Sequence, residues 1–401
     1  MMKKRARQSP KAPAIKPALP ERKTDSEEPP GRAQRQLKAD ARRRASTHVP
    51  PQPPARRGRR PAARRFSSVS DLQVVVLHSQ ALGLERGRPE DRIADEETEL
   101  VAKDIVQALE GRVKAVYRVP VWDDLEAALR RFDPREHVVF NLVESLAGRA
   151  FTEPEAPRFL RTRGFAHTGG SSRCLQRTAS KPTTKRLVAA AGLATPSYQV
   201  FRRKGQQEFT VPLPAIVKPV GEGGSFGVTQ DSLVRTQDSL AARIDYCLET
   251  YRQPALVEQF IIGRELNVAL WGNREPVVLP ISEVLFAWTQ DPLQQIVTFD
   301  SKWIPESVEY RGTPGVCPAP LSAEDEDRVR STALRAYKAL SVRGYARVDL
   351  RLGDGVPYVL EINVNPDLAR NAGFFRSART AGYSYADMIL RILELAIAAQ
   401  P

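Results

Sequence analysis

Cysteine is scarce in this 401-residue chain: Cys174, Cys247 and Cys317 are the only three, and no two stand at a metal-type spacing. An odd, scattered set excludes a disulfide scaffold and points to a reducing compartment, so the expected location is cytoplasmic. The four histidines are equally dispersed, which argues against a zinc centre. No run of about 18 apolar residues occurs, so no membrane span is expected. The N-terminus is basic but has no apolar core segment and is not a secretory signal. Methionine is absent between Met2 and Met388, so a later start would need a different codon. No Ser/His/Asp or Cys/His arrangement is present to suggest a covalent nucleophile.

The net charge of +14 is unevenly spread. Residues 1–70 hold 20 Lys/Arg and 5 Asp/Glu, which leaves the remaining chain at −1. A near-neutral body argues against a broad basic face for nucleic acid. The 1–70 segment is rich in Pro, Arg and Ala and has no aromatic residue before Phe66. It cannot bury enough apolar surface to offset its ordering entropy and is expected to be a disordered tail. Its runs Arg42-Arg43-Arg44 and Arg56-Arg57-Gly58-Arg59-Arg60 suit anionic partners; a solvated tail without a partner, or a misassigned start, is the competing reading.

From residue 71 onward the pattern alternates. Short apolar runs at 72–78, 113–119 and 137–143 read as buried strands, and helical spacing at 97–109 and 122–132 separates them. A small α/β unit is therefore expected over about 71–165, with its domain closing at 178. A capped helix follows at 180–192, ended by Gly192 and Pro196. Strands are expected at 215–218, 255–258 and 265–270, and helices at 236–251, 323–340 and 384–399.

Four segments carry chemistry. In 347–365 a strand, a Gly353-Asp354-Gly355 turn and a returning strand would put Asp349 and Glu361 on adjacent antiparallel strands. Asn363 and Arg347, each two residues from a carboxylate, share its face. Three oxygen donors suit Mg²⁺, and Arg347 suits a developing negative charge beside it. An ordinary polar hairpin is the competing reading. In 214–228 a strand carrying Lys218 enters a loop with Gly221, Gly223, Gly224 and Gly227, then returns as a strand. Such a loop brings backbone N–H groups close to phosphate, with Lys218 adding charge; it is neither a P-loop nor a dinucleotide fingerprint. In 256–265 a strand, a turn and a second strand would offer backbone groups to an adenine edge and Glu265 to ribose hydroxyls. Lys185 lies one turn beyond Lys181 on a helix, where lysines are ordinarily solvated.

The order of these segments, rather than any one, resembles the ATP-grasp superfamily and, within it, the D-alanine–D-alanine ligases. The resemblance covers about 72–398 and extends to Lys302 and Trp303 and to the stretch 365–368. It implies a pre-ATP-grasp α/β unit followed by a two-subdomain ATP-grasp fold, with a nucleotide-binding part at 179–270 and a metal-binding, catalytic part at 271–400. It implies that Lys185 and Lys218 hold ATP phosphates. Glu258, Phe260 and Ile261 would line the adenine site, with Glu258 and Ile261 acting mainly through backbone, and Glu265 would hold the ribose. Gly224, Ser225 and Phe226 would form the flap over the phosphates. Asp349, Glu361 and Asn363 would bind two Mg²⁺ ions, Mn²⁺ being possible, with Glu361 between them. Arg347 would stabilise the tetrahedral intermediate, and Lys302 would lie on the closing loop. The implied activity is C–N ligation through an acyl-phosphate, most simply D-alanine–D-alanine ligation feeding peptidoglycan synthesis. The implied partners are small amino-acid or carboxylate and amine substrates, and a homodimer through the first unit.

The departures lie in the amino-acid half. Glu96-Glu97-Thr98-Glu99 is only loosely comparable with the family segment whose Glu grips the first ammonium. Glu144-Ser145 replaces a usual His-Gly. Gly224 stands at the loop Ser, Trp303 at a Tyr, and Ala372-Gly373 near the Ser-Leu pair that receives the second carboxylate. Two alternatives therefore remain: a ligase joining other acids and amines, and a silent nucleotide-binding protein with a basic arm.

Overall fold

Four consecutive apolar residues, Val74 to Leu77, make the buried heart of Gln73–Ser79 (β1), an inner strand of the first sheet. The computed structural model describes residues 66–399, apart from 67, 81, 84–86 and 207. The expected disordered tail falls outside the described residues up to position 65. Its last residues are folded: Val69–Asp71 make a 3-10 turn capped by Ser68, and Phe66 and Val69 pack on the core. The ordered body thus begins before residue 70.

The first unit alternates β1, helix α1 (Arg92–Leu109), β2 (Ala115–Val121), α2 (Leu125–Leu129), β3 (His137–Leu142), α3 (Glu155–Thr162) and β4 (Ala166–His167). The strands are parallel in the order β2-β1-β3-β4. Helix α1 starts before the expected residue 97 because the Pro89–Asp91 3-10 turn feeds directly into it. Strand β2 runs on through Pro120, which the edge position tolerates. The helix expected over 122–132 shrinks to Leu125–Leu129, since the Asp124 side chain caps it by accepting the Ala127 N–H at 2.9 Å.

Helices α4 (Ser172–Thr178) and α5 (Lys181–Ala190) lead to a second, antiparallel sheet. It comprises β5 (Tyr198–Phe201), β6 (Ala215–Pro219), β7 (Leu233–Val234) and β8 (Ala255–Gln259), in the order β5-β8-β6-β7, with α6 (Gln237–Thr250) between β7 and β8. The strand returning from the Gly-rich loop is only the two-residue β7, set back behind a 3-10 turn at Gln230–Ser232.

The third sheet holds β9 (Arg264–Gly272), β10 (Val277–Val278), β11 (Ser282–Val284), β12 (Gly315–Val316), β13 (Gly344–Gly353) and β14 (Val356–Val364). Its order is β12-β11-β9-β13-β14, with β10 also on β9. Helices α7 (Phe299–Trp303), α8 (Val308–Arg311) and α9 (Ala323–Ala339) interrupt it, and α10 (Gly373–Thr380) and α11 (Tyr385–Ala398) close the chain. Strands β8 and β9 are not a hairpin; the chain changes sheets at 260–263. One face of the third sheet buries Leu266, Val268, Val348, Leu350 and Ile362 against Val329, Ala333, Ala336 and Tyr337 of α9. Along the strands every second residue therefore faces the other way, into the cleft.

A single hydrophobic cluster joins the two ends of the body. Val74, Val76 and Phe140 of the first sheet and Ile105 of α1 pack with Phe374, Met388, Ile389 and Ile392 of the last two helices. No helix among the described residues is long and apolar enough to cross a membrane.

Candidate functional site

A cleft of about 830 Å³ lies against all three sheets, and the sequence-predicted Lys218, Gly224, Ser225, Phe226, Glu258, Phe260, Ile261, Glu265, Lys302, Arg347, Asp349, Glu361 and Asn363 all line it. Lys185 stands just behind the lining.

On one wall, Glu258 near the end of β8 is 1% exposed and bridges two cations. Its carboxylate lies 2.7 Å from Lys185 Nζ and pairs with Lys218 Nζ through the other oxygen. Burial disfavours every charge here. For Glu258 the two ammonium groups outweigh burial and hold the carboxyl below its ordinary range. For Lys218 burial is outweighed by Glu258 and Glu361, so its pKa rises; for Lys185 burial wins and its pKa falls. Lys185 is not a solvated helical lysine: it is 1% exposed and also donates to Thr195 Oγ1 at 3.1 Å. Glu258 faces these lysines with its side chain, a role the resemblance did not carry. Lys181, one turn before Lys185, reaches the carbonyl of Glu222 and lies 4.0 Å from Glu361.

On the other wall the antiparallel pairing sets Asn267, Asp349 and Glu361 in one row across β9, β13 and β14, with Arg347 opposite Asn363 beside it. A bulge after Asp349 shifts the register, so Leu350 pairs with Val359. Asp349 is saturated by donors. Oδ1 accepts from Arg347 Nε at 2.7 Å and Asn267 Nδ2 at 2.8 Å; Oδ2 accepts from Arg347 Nη2 at 2.8 Å and Asn363 Nδ2 at 2.7 Å. Asn363 Nδ2 also reaches Glu361 Oε1 at 3.3 Å. Burial pushes Glu361 up, but Lys181, Lys218 and Lys302 prevail and hold it at about 2. Burial lowers and Asp349 raises the Arg347 pKa, and Asp349 prevails.

This donor set fits a hard divalent cation: two carboxylates and an amide, with no sulfur or imidazole. Among the described residues no group of three or more His, Cys, Asp or Glu is arranged as a metal cluster. Here the Asn363 amide nitrogen donates to both carboxylates, so its oxygen would have to turn inward to join them on a cation.

The lid is docked. Ser225, at φ +63, donates its hydroxyl to the Val297 carbonyl at 3.0 Å. Trp303 Nε1 donates to the Gly224 carbonyl at 2.8 Å, and the Phe226 and Phe299 rings lie 6.1 Å apart. Gly224, at φ +58, needs the left-handed region that glycine enters without strain.

Several residues of the site were missed. Arg351 donates to the Ile261 carbonyl at 2.9 Å, to Glu265 Oε2 at 2.8 Å and to the Gln295 carbonyl, and stacks over Phe260 at 4.5 Å. It follows Asp349 by two residues, as Asn267 follows Glu265, so the period-two argument applied to Asn363 reaches both. Glu97 also lines the cleft, where burial and Asp367 push its carboxyl up to about 7 against the opposing pull of Lys302. Glu153 is likewise raised by burial and by Glu144.

A family model described as "D-ala D-ala ligase C-terminus" matches residues 187–394. An uncharacterised protein of Sinorhizobium fredii is 34% identical over 279 residues, spanning 68% of this chain and 80% of its own length. A D-alanine–D-alanine ligase of Desulforudis audaxviator is 34% identical over 238 residues, 58% of this chain and 73% of that protein. The one from Haemophilus influenzae is 29% identical over 295 residues, 68% and 93%. Among solved structures, D-alanine–D-alanine ligase from Bacillus anthracis complexed with ATP matches with TM-score 0.60 at 19% identity, covering 82% of this chain and 98% of that chain. A second structure of that ligase gives 0.63 at 20% identity. At such identity the likeness carries the fold.

Proposed function

The chain belongs to the D-alanine–D-alanine ligase family, and from that membership we propose that it is an ATP- and Mg²⁺-dependent carboxylate–amine ligase of the D-alanine–D-alanine type. The observation that carries the reading is the pairing of walls. Lys181 and Lys218 of the cationic wall, with Lys302, face the Glu361 hairpin closely enough to outweigh burial and hold that carboxyl at about 2, and Lys181 Nζ lies 4.0 Å from it.

In this reading Lys185, Lys218 and the Gly-rich lid hold the ATP phosphates, and Ile261 and Glu265 hold adenosine. A carboxylate takes the γ-phosphoryl group to give an acyl-phosphate and ADP; an amine then attacks the acyl carbon, and phosphate leaves. Asp349, Glu361 and Asn363 are the residues that would hold Mg²⁺, which when bound neutralises phosphate charge. Arg347 keeps Nε and Nη2 on Asp349, which leaves Nη1 to meet a developing oxyanion in this reading. The Gly224–Trp303 contact keeps water from the acyl-phosphate. The nucleotide and metal roles fall on either side of 270, the division we propose for the ATP-grasp part.

A second reading rests on the altered amino-acid half, in which Glu144, Trp303, Ala372 and Gly373 stand where the resemblance expects other residues. There the same chemistry joins different acids and amines. A silent nucleotide-binding protein is disfavoured by the complete set of Lys218, Asp349, Glu361 and Asn363. The test is ADP release with Mg-ATP and D-alanine, with the product mass determined. D-Alanyl-D-alanine is the expected product. ADP release driven only by another acceptor would shift the assignment to the second reading, and no acceptor-dependent ADP with any amino acid, small acid or amine would refute the ligase.

A further inference from the structure

An amine reaches the cleft as an ammonium at neutral pH and cannot attack an acyl carbon until it has lost a proton. The group that takes this proton must stand beside Arg347, where the oxyanion develops, and must not already be committed to other donors. The carboxylates that act most strongly on Arg347 are Asp349, Glu361 and Asp367. Asp349 is saturated by hydrogen bonds from Arg347, Asn267 and Asn363. Glu361 accepts from Asn363 and lies 4.0 Å from Lys181, on the side of the cleft that faces the lysines. Asp367 is left.

Asp367 lies on the loop between β14 and α10, lines the cleft and is exposed. Its Oδ1 accepts the Ala369 N–H at 2.7 Å, and Oδ2 has no partner among the described residues. The loop that carries it is anchored on both sides. Asn365, at φ +58, accepts the Gly170 N–H on Oδ1 at 2.9 Å, and a Cβ on Gly169 would fall 1.9 Å from that oxygen, so glycine is required there. Leu368 is fully buried in the cluster that joins the first sheet to the last two helices. A carboxylate held this way on a fixed loop keeps its place when the substrates enter. The charged and titratable groups that face it are Arg347 of β13, Glu97 of α1 and Tyr385 of α11, and Lys302 of α7 faces Glu97 in turn.

We propose that Asp367 is the catalytic base of the amine step, taking one proton from the ammonium of the incoming substrate. This rests on the ligase reading above and adds to it the group that frees the nucleophile. The freed lone pair forms the C–N bond at the acyl carbon, and Arg347 meets the oxyanion. The intermediate then collapses with cleavage of the C–O bond to phosphate. A second proton passes from nitrogen to the departing phosphate, the third stays on the amide, and Asp367 gives its proton to solvent from its exposed side.

The test compares the wild type with Asp367→Asn, using Mg-ATP and one fixed acid substrate. Asparagine keeps an oxygen for the Ala369 N–H, so the loop keeps its anchor, and the melting temperature checks that it does. With an amino-acid acceptor at neutral pH, kcat should fall on the order of a hundredfold or more, the share that general-base catalysis supplies, with KM for ATP unchanged. The deficit should shrink as pH rises towards the pKa of the acceptor amine, because the amine then arrives already deprotonated. With hydroxylamine, which is uncharged at neutral pH, the variant should form hydroxamate at nearly the wild-type rate. Near-wild-type turnover of the variant with the amino acid overturns the proposal. So does a deficit that is the same at every pH or undiminished with hydroxylamine, since a role in holding the loop or the oxyanion would not depend on the amine's charge. No ADP from the wild type with any acid and amine is the distinct failure of the ligase reading, and the proposal falls with it.

Discussion

Glu258 holds two buried ammonium groups, so its removal does more than delete one ion pair. Glu258→Gln leaves Lys185 and Lys218 without their shared anion, and breaking a buried pair from one side costs about 3–5 kcal/mol. Urea denaturation should show a loss of that order; a change under about 1 kcal/mol would mean that solvent already screens the lysines. Glu361→Ala and Lys218→Ala should abolish acceptor-dependent ADP release while far-ultraviolet dichroism stays native, and near-normal turnover in either would remove that residue from the site. Glu97 gives a pH dependence with a definite sign. Its folded carboxyl sits at about 7, above the ordinary 4.5, so the folded state binds the extra proton between those values. Stability therefore falls as pH rises through that window and is flat above it. Thermal melts from pH 4 to pH 8 should lose this component in Glu97→Gln, and an unchanged slope would place the titration elsewhere.

At the scale of elements, two tethers shape the cleft. Trp303 on α7 holds the Gly-rich loop after β6 through the Gly224 carbonyl. In Trp303→Phe that bond is lost while the ring stays, and ATP hydrolysis without product should rise as water reaches the acyl-phosphate; a strictly coupled variant would show that the lid closes by other contacts. Arg351 on β13 ties the 260–263 crossover, β9 and the loop before α7 to one guanidinium. Arg351→Met should raise KM for ATP with little change in kcat, and an effect on kcat alone would contradict a nucleotide-positioning role. These elements were unequally legible. The 349/361 hairpin was readable because period two fixes which side chains share a face and Asp354-Gly355 makes the turn. The separation of β8 from β9 was not, because two short apolar strands joined by a glycine read alike whether they pair or part.

The whole molecule is fastened by contacts between distant segments. Helix α11 packs on α1 and on the first sheet, so removing 385–401 should abolish the cooperative unfolding of the entire body, and retention of a native melt would be the opposing result. Deleting 1–65 should leave turnover nearly unchanged, whereas a cut at 70 also strips Phe66 and Val69 from the core and should lower the melting temperature. Equal melting temperatures for both truncations would show that these two residues contribute nothing.

Sequence by itself determined the alternation of strands and helices, the basic character of 1–70 and the shared face of Asp349, Glu361 and Asn363, since each follows from local periodicity or composition. Tertiary structure alone decided that Lys185 is buried rather than solvated and that Glu258 serves both lysines. Burial and charge pairing depend on segments tens or hundreds of residues apart, and no local pattern records which of them will meet.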